Sequence, residues 1–135
     1  MINSYTATSQ SVLTDGTLDF DVNKVKTGCT ITHTSGTASF SLNKPGFYFV
    51  TFNGDVSTAT AGTISTQLFG NSSAISGASA SVTAAIDTTY PLSFSTIVQV
   101  LPSCCVCDNS MTLTVVNTGE DATYTNANIV ITKLC

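Results

Sequence analysis

The amino-acid sequence predicts a single all-β domain, and three observations carry this prediction: the chain length, the spacing of the apolar residues and the composition. A chain of 135 residues has the size of one domain. Apolar residues recur at every second position in short segments that Gly, Pro, Asn and Asp interrupt, which is typical of strands and not of helices. Charged residues make up only 9% of the chain, and the Thr, Ser and Asn that replace them suit the surface of a pleated sheet. We therefore expect one folded core built from strands.

The period-two segments predict about nine strands. Turn residues separate them, as at Asp15-Gly16 and Pro45-Gly46, and Gly54 inside a strand marks a bulge. Strands of this number and spacing make a β-sandwich or a jelly roll. Residues 1–10 are polar and are expected to form a leader, with the domain covering residues 11–135. The predicted strands are residues 18–22, 29–33, 38–42, 47–56, 63–69, 78–84, 92–101, 111–116 and 128–134.

The charge argues against two classes of partner. The net charge is −4, and the chain has only four basic residues, so no cationic patch can neutralise a row of phosphates or hold an anionic membrane. No apolar run approaches the length of a membrane span, and residues 1–4 lack the features of a signal peptide. We expect neither a nucleic-acid partner nor a membrane partner. The basic residues are Lys24, Lys26, Lys44 and Lys133.

Some of the predicted strands carry large apolar side chains on both faces. Residues 47–52 are the clearest case, and residues 97–101 and 129–131 follow the same pattern. A strand with one wet face alternates apolar with polar residues, so both faces of these strands need cover. One face would pack in the core and the other against a sister chain, although a long loop of the same chain is an alternative. The candidate interface residues are Tyr48, Val50, Phe52, Val98, Ile129 and Ile131.

The segment FSLNKPGFYFVTF, residues 40–52, resembles the F-x-hydrophobic-x-x-P-G-x-Y-x-F signature of C1q/TNF-like jelly-roll domains, above all of their bacterial and phage members. Residues 18–21 and 127–134 resemble the first and last strands of that family. The resemblance implies an antiparallel two-sheet jelly-roll sandwich that forms a homotrimer, with recognition on its apex or flanks. The chain has no collagen-like Gly-X-Y stalk and no acidic cluster matching a family calcium site, so neither feature is implied.

The cysteines allow three interpretations. Cys104 and Cys107 have the spacing of a zinc knuckle, but a structural zinc site needs four ligands and the chain offers no second such pair. Disulfides or crosslinks between chains are the second interpretation, and free thiols that pack as small apolar groups are the third. In a jelly roll the segment around residue 105 should lie at the same end as residue 135, so these thiols would gather near the threefold axis of a trimer. The five cysteines are Cys29, Cys104, Cys105, Cys107 and Cys135.

Catalytic residues are not evident. A Ser-His-Asp site needs a histidine base, and the one histidine, His33, lies in a Thr-rich strand with no G-x-S-x-G motif nearby, so we expect a surface or interface residue. Two pairs of carboxylates, Asp19 with Asp21 and Glu120 with Asp121, are interpreted as surface and turn residues and not as a glycosidase pair. We expect no enzymatic activity and no cofactor.

Together with the resemblance, these observations predict a structural or adhesive trimer on the surface of a particle. A phage virion protein is the first hypothesis: a capsid decoration, head-fibre or fibre-tip component. Its partners would be sister chains, a capsid or fibre protein, and a surface glycan or host receptor. A spore-coat or bacterial cell-surface protein of the same fold and a lectin-like module are the alternatives. Residues 57–62, 70–77 and 87–90 would carry recognition, with Tyr90 as their one aromatic residue.

Overall fold

The computed structural model describes residues 1–102 and 110–134, and in that part of the chain eleven strands form two antiparallel sheets. The strands are β1 (Ile2–Tyr5), β2 (Gln10–Val12), β3 (Val22–Lys26), β4 (Ile31–His33), β5 (Phe40–Leu42), β6 (Gly46–Ser57), β7 (Gly62–Gly70), β8 (Ser73–Ala84), β9 (Tyr90–Val100), β10 (Met111–Asn117) and β11 (Ala122–Lys133).

The strand order is that of a jelly roll. The six-stranded sheet has the order β3-β1-β11-β6-β9, with β2 paired to the beginning of β11, and the five-stranded sheet has the order β4-β5-β10-β7-β8. The chain passes from one sheet to the other between β3 and β4, between β5 and β6, between β6 and β7, and at each connection from β8 to β11. The antiparallel two-sheet sandwich predicted from the sequence is confirmed.

The core lies between the two sheets and takes alternate residues from each strand. Burying these apolar side chains is the main force that holds the sheets together. Polar contacts also join the two sheets, and in one of them the Tyr124 hydroxyl of β11 lies 2.8 Å from Thr66 Oγ1 of β7. Burial raises the pKa of Tyr124, and the hydrogen bond to Thr66 opposes that rise in part. The largest fully buried apolar side chains include Phe20, Phe40, Phe52, Ile64, Leu68 and Leu113.

The structure places the first ten residues differently from the sequence prediction. Residues 1–10 were expected to form a polar leader, but Ile2–Tyr5 is strand β1, which pairs with β11 on one side and with β3 on the other. Ile2 is fully buried in the core, and Ser4 and Thr6 are buried on the same face. Two of the inward residues, Ser4 and Thr6, are small and polar like the outward ones. Hydrophobicity alone therefore did not show the period-two pattern of this segment.

Residues 18–22 were expected to be a strand, and the structure shows an extended segment that makes only single bridges before β3 begins at Val22. Thr17 bridges to Val116, and Phe20 bridges to Thr37. Leu18 and Phe20 are nevertheless fully buried. The period-two pattern therefore marked correctly which side chains enter the core, although the backbone does not form a continuous ladder there.

The bulge predicted at Gly54 lies in the strand opposite. The register between β6 and β11 shifts between Thr125 and Asn128, so β11 holds one extra residue, and Asn126 has a φ of 55°. A Cβ on Gly54 would lie 3.2 Å from the Ala127 Cα. Glycine at position 54 allows this close approach of the bulged strand.

The two ends of the sandwich differ, and we name them by their strands. The terminal end holds the start of β1 and the end of β11, whereas the distal end holds the turn from β10 to β11. At the distal end, buried Asn117 donates from Nδ2 to the carbonyl oxygens of Val12 (3.0 Å) and Glu120 (2.8 Å). Its Oδ1 accepts from the Gly119 backbone N–H at 3.1 Å. Asn117 therefore ties the end of β2 to the turn between β10 and β11.

The histidine lies inside the sandwich and not at the surface or an interface as predicted. His33 is buried, and its ring stacks on Phe40 with centroids 4.1 Å apart. The ring Nε2 lies 2.8 Å from the Thr37 carbonyl oxygen, and Nδ1 lies 2.6 Å from Asn23 Oδ1. Burial lowers the pKa of His33, the hydrogen bond to Thr37 raises it in part, and the positive charge of Lys26 lowers it further.

Replacing Asn117 should destabilise the fold. The Asn117→Ala variant leaves two carbonyl oxygens and one backbone N–H without their partner, and an unsatisfied buried group costs about 1–3 kcal/mol. Some of these groups can regain water at the turn, so we expect a loss of roughly 2–4 kcal/mol in the free energy of unfolding, measured by urea denaturation. Asn53→Ala is the matched control, because Asn53 is exposed and its side chain makes a single 3.3 Å hydrogen bond, to Asn128. Equal losses in both variants would contradict the role of Asn117.

The position of His33 predicts a dependence of stability on pH. Since the folded pKa lies below the unfolded value of about 6.5, the unfolded chain takes up the proton first as the pH falls. The stability that depends on the neutral ring is therefore complete above about pH 6.5 and is lost below it. We expect the urea midpoint to fall between about pH 7.5 and pH 5, and to fall less in His33→Gln, which removes the titrating ring. An equal fall in both proteins would exclude this contribution.

Candidate self-association surface

The six predicted interface residues lie in the core of the single chain. Tyr48, Val50 and Phe52 point inward from β6, and the others point inward from β9 and β11. All six are almost completely buried by their own chain, so they cannot also contact a sister chain, and the structure corrects this part of the sequence prediction. The corrected residues are Tyr48, Val50, Phe52, Val98, Ile129 and Ile131.

The opposite face of the same strands carries an exposed apolar patch. Phe47 and Phe49 alternate with the buried residues of β6 and are 42% and 38% exposed. Ile97 of β9 is directly opposite Phe49 and is 58% exposed. Side chains on one face of a strand pair at this register lie side by side. These three residues, which we call the apolar patch, lie on the outer face of the six-stranded sheet.

The sequence prediction found the two-sided character of β6 but took its inward residues for the exposed ones. Both alternating sets of residues 47–52 begin with aromatic residues, so hydrophobicity alone did not distinguish them. One signal in the sequence distinguishes the outward residues from the inward ones. Ser95 and Gln99 share a face with Ile97, and a face that mixes apolar and polar residues is typical of the outside of a sheet.

The same outer face becomes polar toward the distal end. Thr51 and Asn53 follow Phe49 on β6, and Asn53 Oδ1 accepts a 3.3 Å hydrogen bond from Asn128 Nδ2 of β11. Asn3 of β1 points outward between Val25 and Val130, and its Oδ1 is buried with no hydrogen-bond partner among the residues that the structure describes. The face therefore has an apolar half, a polar half and an unsatisfied acceptor.

Most of the predicted cysteine cluster lies outside the described residues, because these do not include Cys104, Cys105, Cys107 or Cys135. The strands that precede these cysteines, β9 and β11, both end beside the start of β6. Val100 pairs with Gly46, and the Leu134 N–H donates to the Phe47 carbonyl oxygen at 2.7 Å. Cys29 is described, and it is exposed and makes no disulfide. Crosslinking and zinc binding at these thiols stay predictions.

The predicted recognition segments divide between the two ends. The segments around residues 57–62 and 87–90 lie at the distal end, where the Asp87 N–H donates to the Thr58 carbonyl oxygen at 2.9 Å. Residues 70–77 are at the other end, and most of them belong to β8, because Asn71 and Ser72 alone form the turn after Gly70. Tyr90 is half-buried and its hydroxyl accepts from the Ala85 N–H at 3.1 Å.

The carboxylate pairs serve local structure. Asp21 Oδ2 accepts from the Ala7 N–H at 3.2 Å, and Asp121 Oδ1 accepts from the Thr14 N–H at 2.7 Å. Among residues 1–102 and 110–134, no three His, Cys, Asp or Glu side chains come together in a group that could hold a metal ion. Over the same residues, no helix has the length and apolar character needed to cross a membrane.

Known structures share the whole architecture of the chain. The globular domain of zebrafish complement 1qA superposes with a TM-score of 0.73 at 11% identity, over 99% of this chain and 96% of that one. The Eiger TNF of S. frugiperda gives 0.74 at 17% identity, over 99% and 91%. The PRD1 vertex protein P5 gives 0.58 at 19% identity, over 99% and 96%.

These identities are low, so the likeness concerns the fold. No protein-family model matches the chain, and no curated protein matches it in sequence. The two sheets have the strand order described above, and the chain superposes over nearly its full length on both the complement domain and the TNF domain. These findings assign the fold. The chain has the jelly-roll fold of the C1q and TNF-like domains, a fold that it shares with a vertex protein of the phage PRD1.

Proposed function

We propose that this chain is a non-enzymatic, homotrimeric structural or binding module on the surface of a particle, and that the particle is a phage virion. In this proposal the chain is a capsid decoration, head-fibre or fibre-tip component. Three chains pack through the outer faces of their six-stranded sheets, and the distal ends point away from the particle.

The apolar patch is the observation that carries the proposal. Phe47, Phe49 and Ile97 form a contiguous group on a sheet face, and monomeric proteins rarely leave large apolar groups together in water. Burying the patch against sister chains removes it from water, which stabilises the assembly by about 25 cal/mol for each Å² of apolar surface. The superposition on the C1q and TNF neighbours supports the threefold arrangement that the family resemblance implies.

A surface role on a virion is supported by the likeness to the PRD1 vertex protein and by the composition. The share of charged residues is low, and Thr and Ser cover the strands, so the surface has few groups that titrate. The non-enzymatic part of the proposal is supported by His33, whose ring nitrogens face Asn23 and Thr37 inside the sandwich and contact no nucleophile among the described residues.

Light scattering on purified protein tests the trimer. We expect a mass three times the 14.0 kDa of the chain. Ile97→Asn puts a polar amide in the centre of the apolar patch and should reduce the mass to that of one chain, without loss of β-structure by circular dichroism. Thr83→Asn introduces the same residue on the exposed outer face of the other sheet and should leave the trimer mass unchanged. A monomeric wild-type protein at micromolar concentration would contradict the proposal.

Particle association tests the finer assignment. If the chain is a virion component, it should sediment with the major capsid protein when particles from the producing culture are banded on a density gradient, and mass spectrometry should detect it in that band. Recovery in the soluble fraction alone would contradict the virion role and leave the trimer unaffected.

A further inference from the structure

The distal end of the sandwich carries an apolar groove that the fold does not fill. A groove of about 250 Å³ runs beside β2 and the start of β11, and Val12, Leu13, Ala59 and Ala122 provide its apolar lining. Leu13 is 68% exposed, and Ile86, from the segment next to Thr58, is 57% exposed. An exposed leucine that lines a groove, with an exposed isoleucine at the same end of the domain, is typical of a surface that another molecule covers.

The charges at the distal end have one sign, and one of them, that of Asp121, lines the groove. Four carboxylates lie in the distal turns, at Asp15, Asp87, Glu120 and Asp121, and all four are exposed. Residues 11–17, 57–62, 84–90 and 117–123, which form this end, contain no lysine, arginine or histidine. Carboxylates that share one end of a domain create a negative potential there, which attracts cations and repels phosphates and anionic lipids.

The basic residues lie elsewhere in the fold. Lys26 pairs with Ile2 at the terminal end, Lys133 ends β11, and Lys44 lies in the turn before β6. The fourth, Lys24, belongs to edge strand β3. The charges are therefore separated along the strand direction, and the distal groove has no internal counter-charge on its own loops.

The loops around the groove are held together before any partner arrives. Thr14 Oγ1 donates to the Gly119 carbonyl oxygen at 2.8 Å, and the Thr14 N–H donates to Asp121. Thr58 Oγ1 donates to the Asp121 carbonyl oxygen at 3.0 Å. Buried Asn117 also holds these loops together, through its hydrogen bonds to Val12, Gly119 and Glu120. A surface whose loops are already ordered loses little conformational entropy on binding.

We propose that this distal groove is a docking site for a cationic segment of another polypeptide, one that alternates lysine or arginine with a large apolar side chain. The apolar side chain enters the groove beside Leu13, and the basic side chains lie against the carboxylates of Asp87, Glu120 and Asp121. The groove is complete within one chain, so the site does not require the trimer.

Fluorescence anisotropy with designed peptides tests this site. The probe is a fluorescein-labelled peptide of four Lys-Leu-Gly repeats, and the comparison peptides are four Lys-Ser-Gly repeats and four Glu-Leu-Gly repeats. We expect saturable binding of the Lys-Leu-Gly peptide, at least about tenfold weaker binding of the other two, and weaker binding at high salt because exposed charges are screened. Equal binding of the Lys-Leu-Gly and Lys-Ser-Gly peptides, or no binding, would overturn the proposal.

Variants locate the binding on the surface. Leu13→Asn should weaken binding of the Lys-Leu-Gly peptide at least about tenfold. Glu120→Gln should weaken this binding severalfold and reduce its dependence on salt. Leu134→Asn and Asp21→Asn are the matched controls, because both side chains are exposed and lie away from the groove, and both should bind as the wild type does. Unchanged binding in Leu13→Asn would exclude the groove.

A third variant separates this proposal from the trimer. The Ile97→Asn protein should bind the Lys-Leu-Gly peptide with wild-type affinity even as a single chain. Loss of binding in that variant would overturn the claim that one chain suffices, whereas a wild-type protein that is a monomer and binds the peptide would contradict only the trimer.

Discussion

The two-residue period of β6 is the constraint on which the rest of the structure depends. This strand lies between β11 and β9 in the six-stranded sheet, and its register with both is fixed over most of its length. A shift of one residue would exchange every side chain between the core and the outer face. The observed register buries Tyr48, Val50 and Phe52 and leaves Phe47 and Phe49 outside. The same alternation therefore closes the core of one chain and creates the surface that we assign to its sisters.

The strand connections give the two ends of the sandwich different surfaces. Strands β6 and β9 place the apolar patch close to the terminal end, where the chain begins and three of its four lysines lie. The turns at the distal end are held by Asn117 and Thr58 and carry carboxylates beside exposed apolar side chains. A module that assembles through its sheet faces leaves such an end open to a partner. The proposed assembly and the proposed docking site thus use separate parts of the surface.

Most of the sheet architecture could be predicted because apolar residues alternate clearly between turn residues. The strands from β4 to β11 were found this way, although β8 begins five residues and β11 six residues before its predicted start. Strand β1 was missed because only Ile2 among its inward residues is apolar, and its place between β3 and β11 depends on distant partners. The candidate surface was found on the right strand and the wrong face, since both faces of residues 47–52 begin with aromatic groups. His33 was placed outside because its ring is polar, whereas stacking on Phe40 and two polar neighbours keep it inside.

Solvent access at two positions of β6 tests the central claim most directly. The chain can be labelled with 4-fluorophenylalanine at Phe49 or at Phe52, and a soluble gadolinium chelate broadens the fluorine signals that solvent can reach. The account predicts that both signals are protected in the wild-type protein, and that the Ile97→Asn variant exposes the signal at Phe49 while Phe52 stays protected. A signal at Phe49 that the chelate reaches freely in the wild-type protein would show that no sister chain covers this face, and would contradict the account.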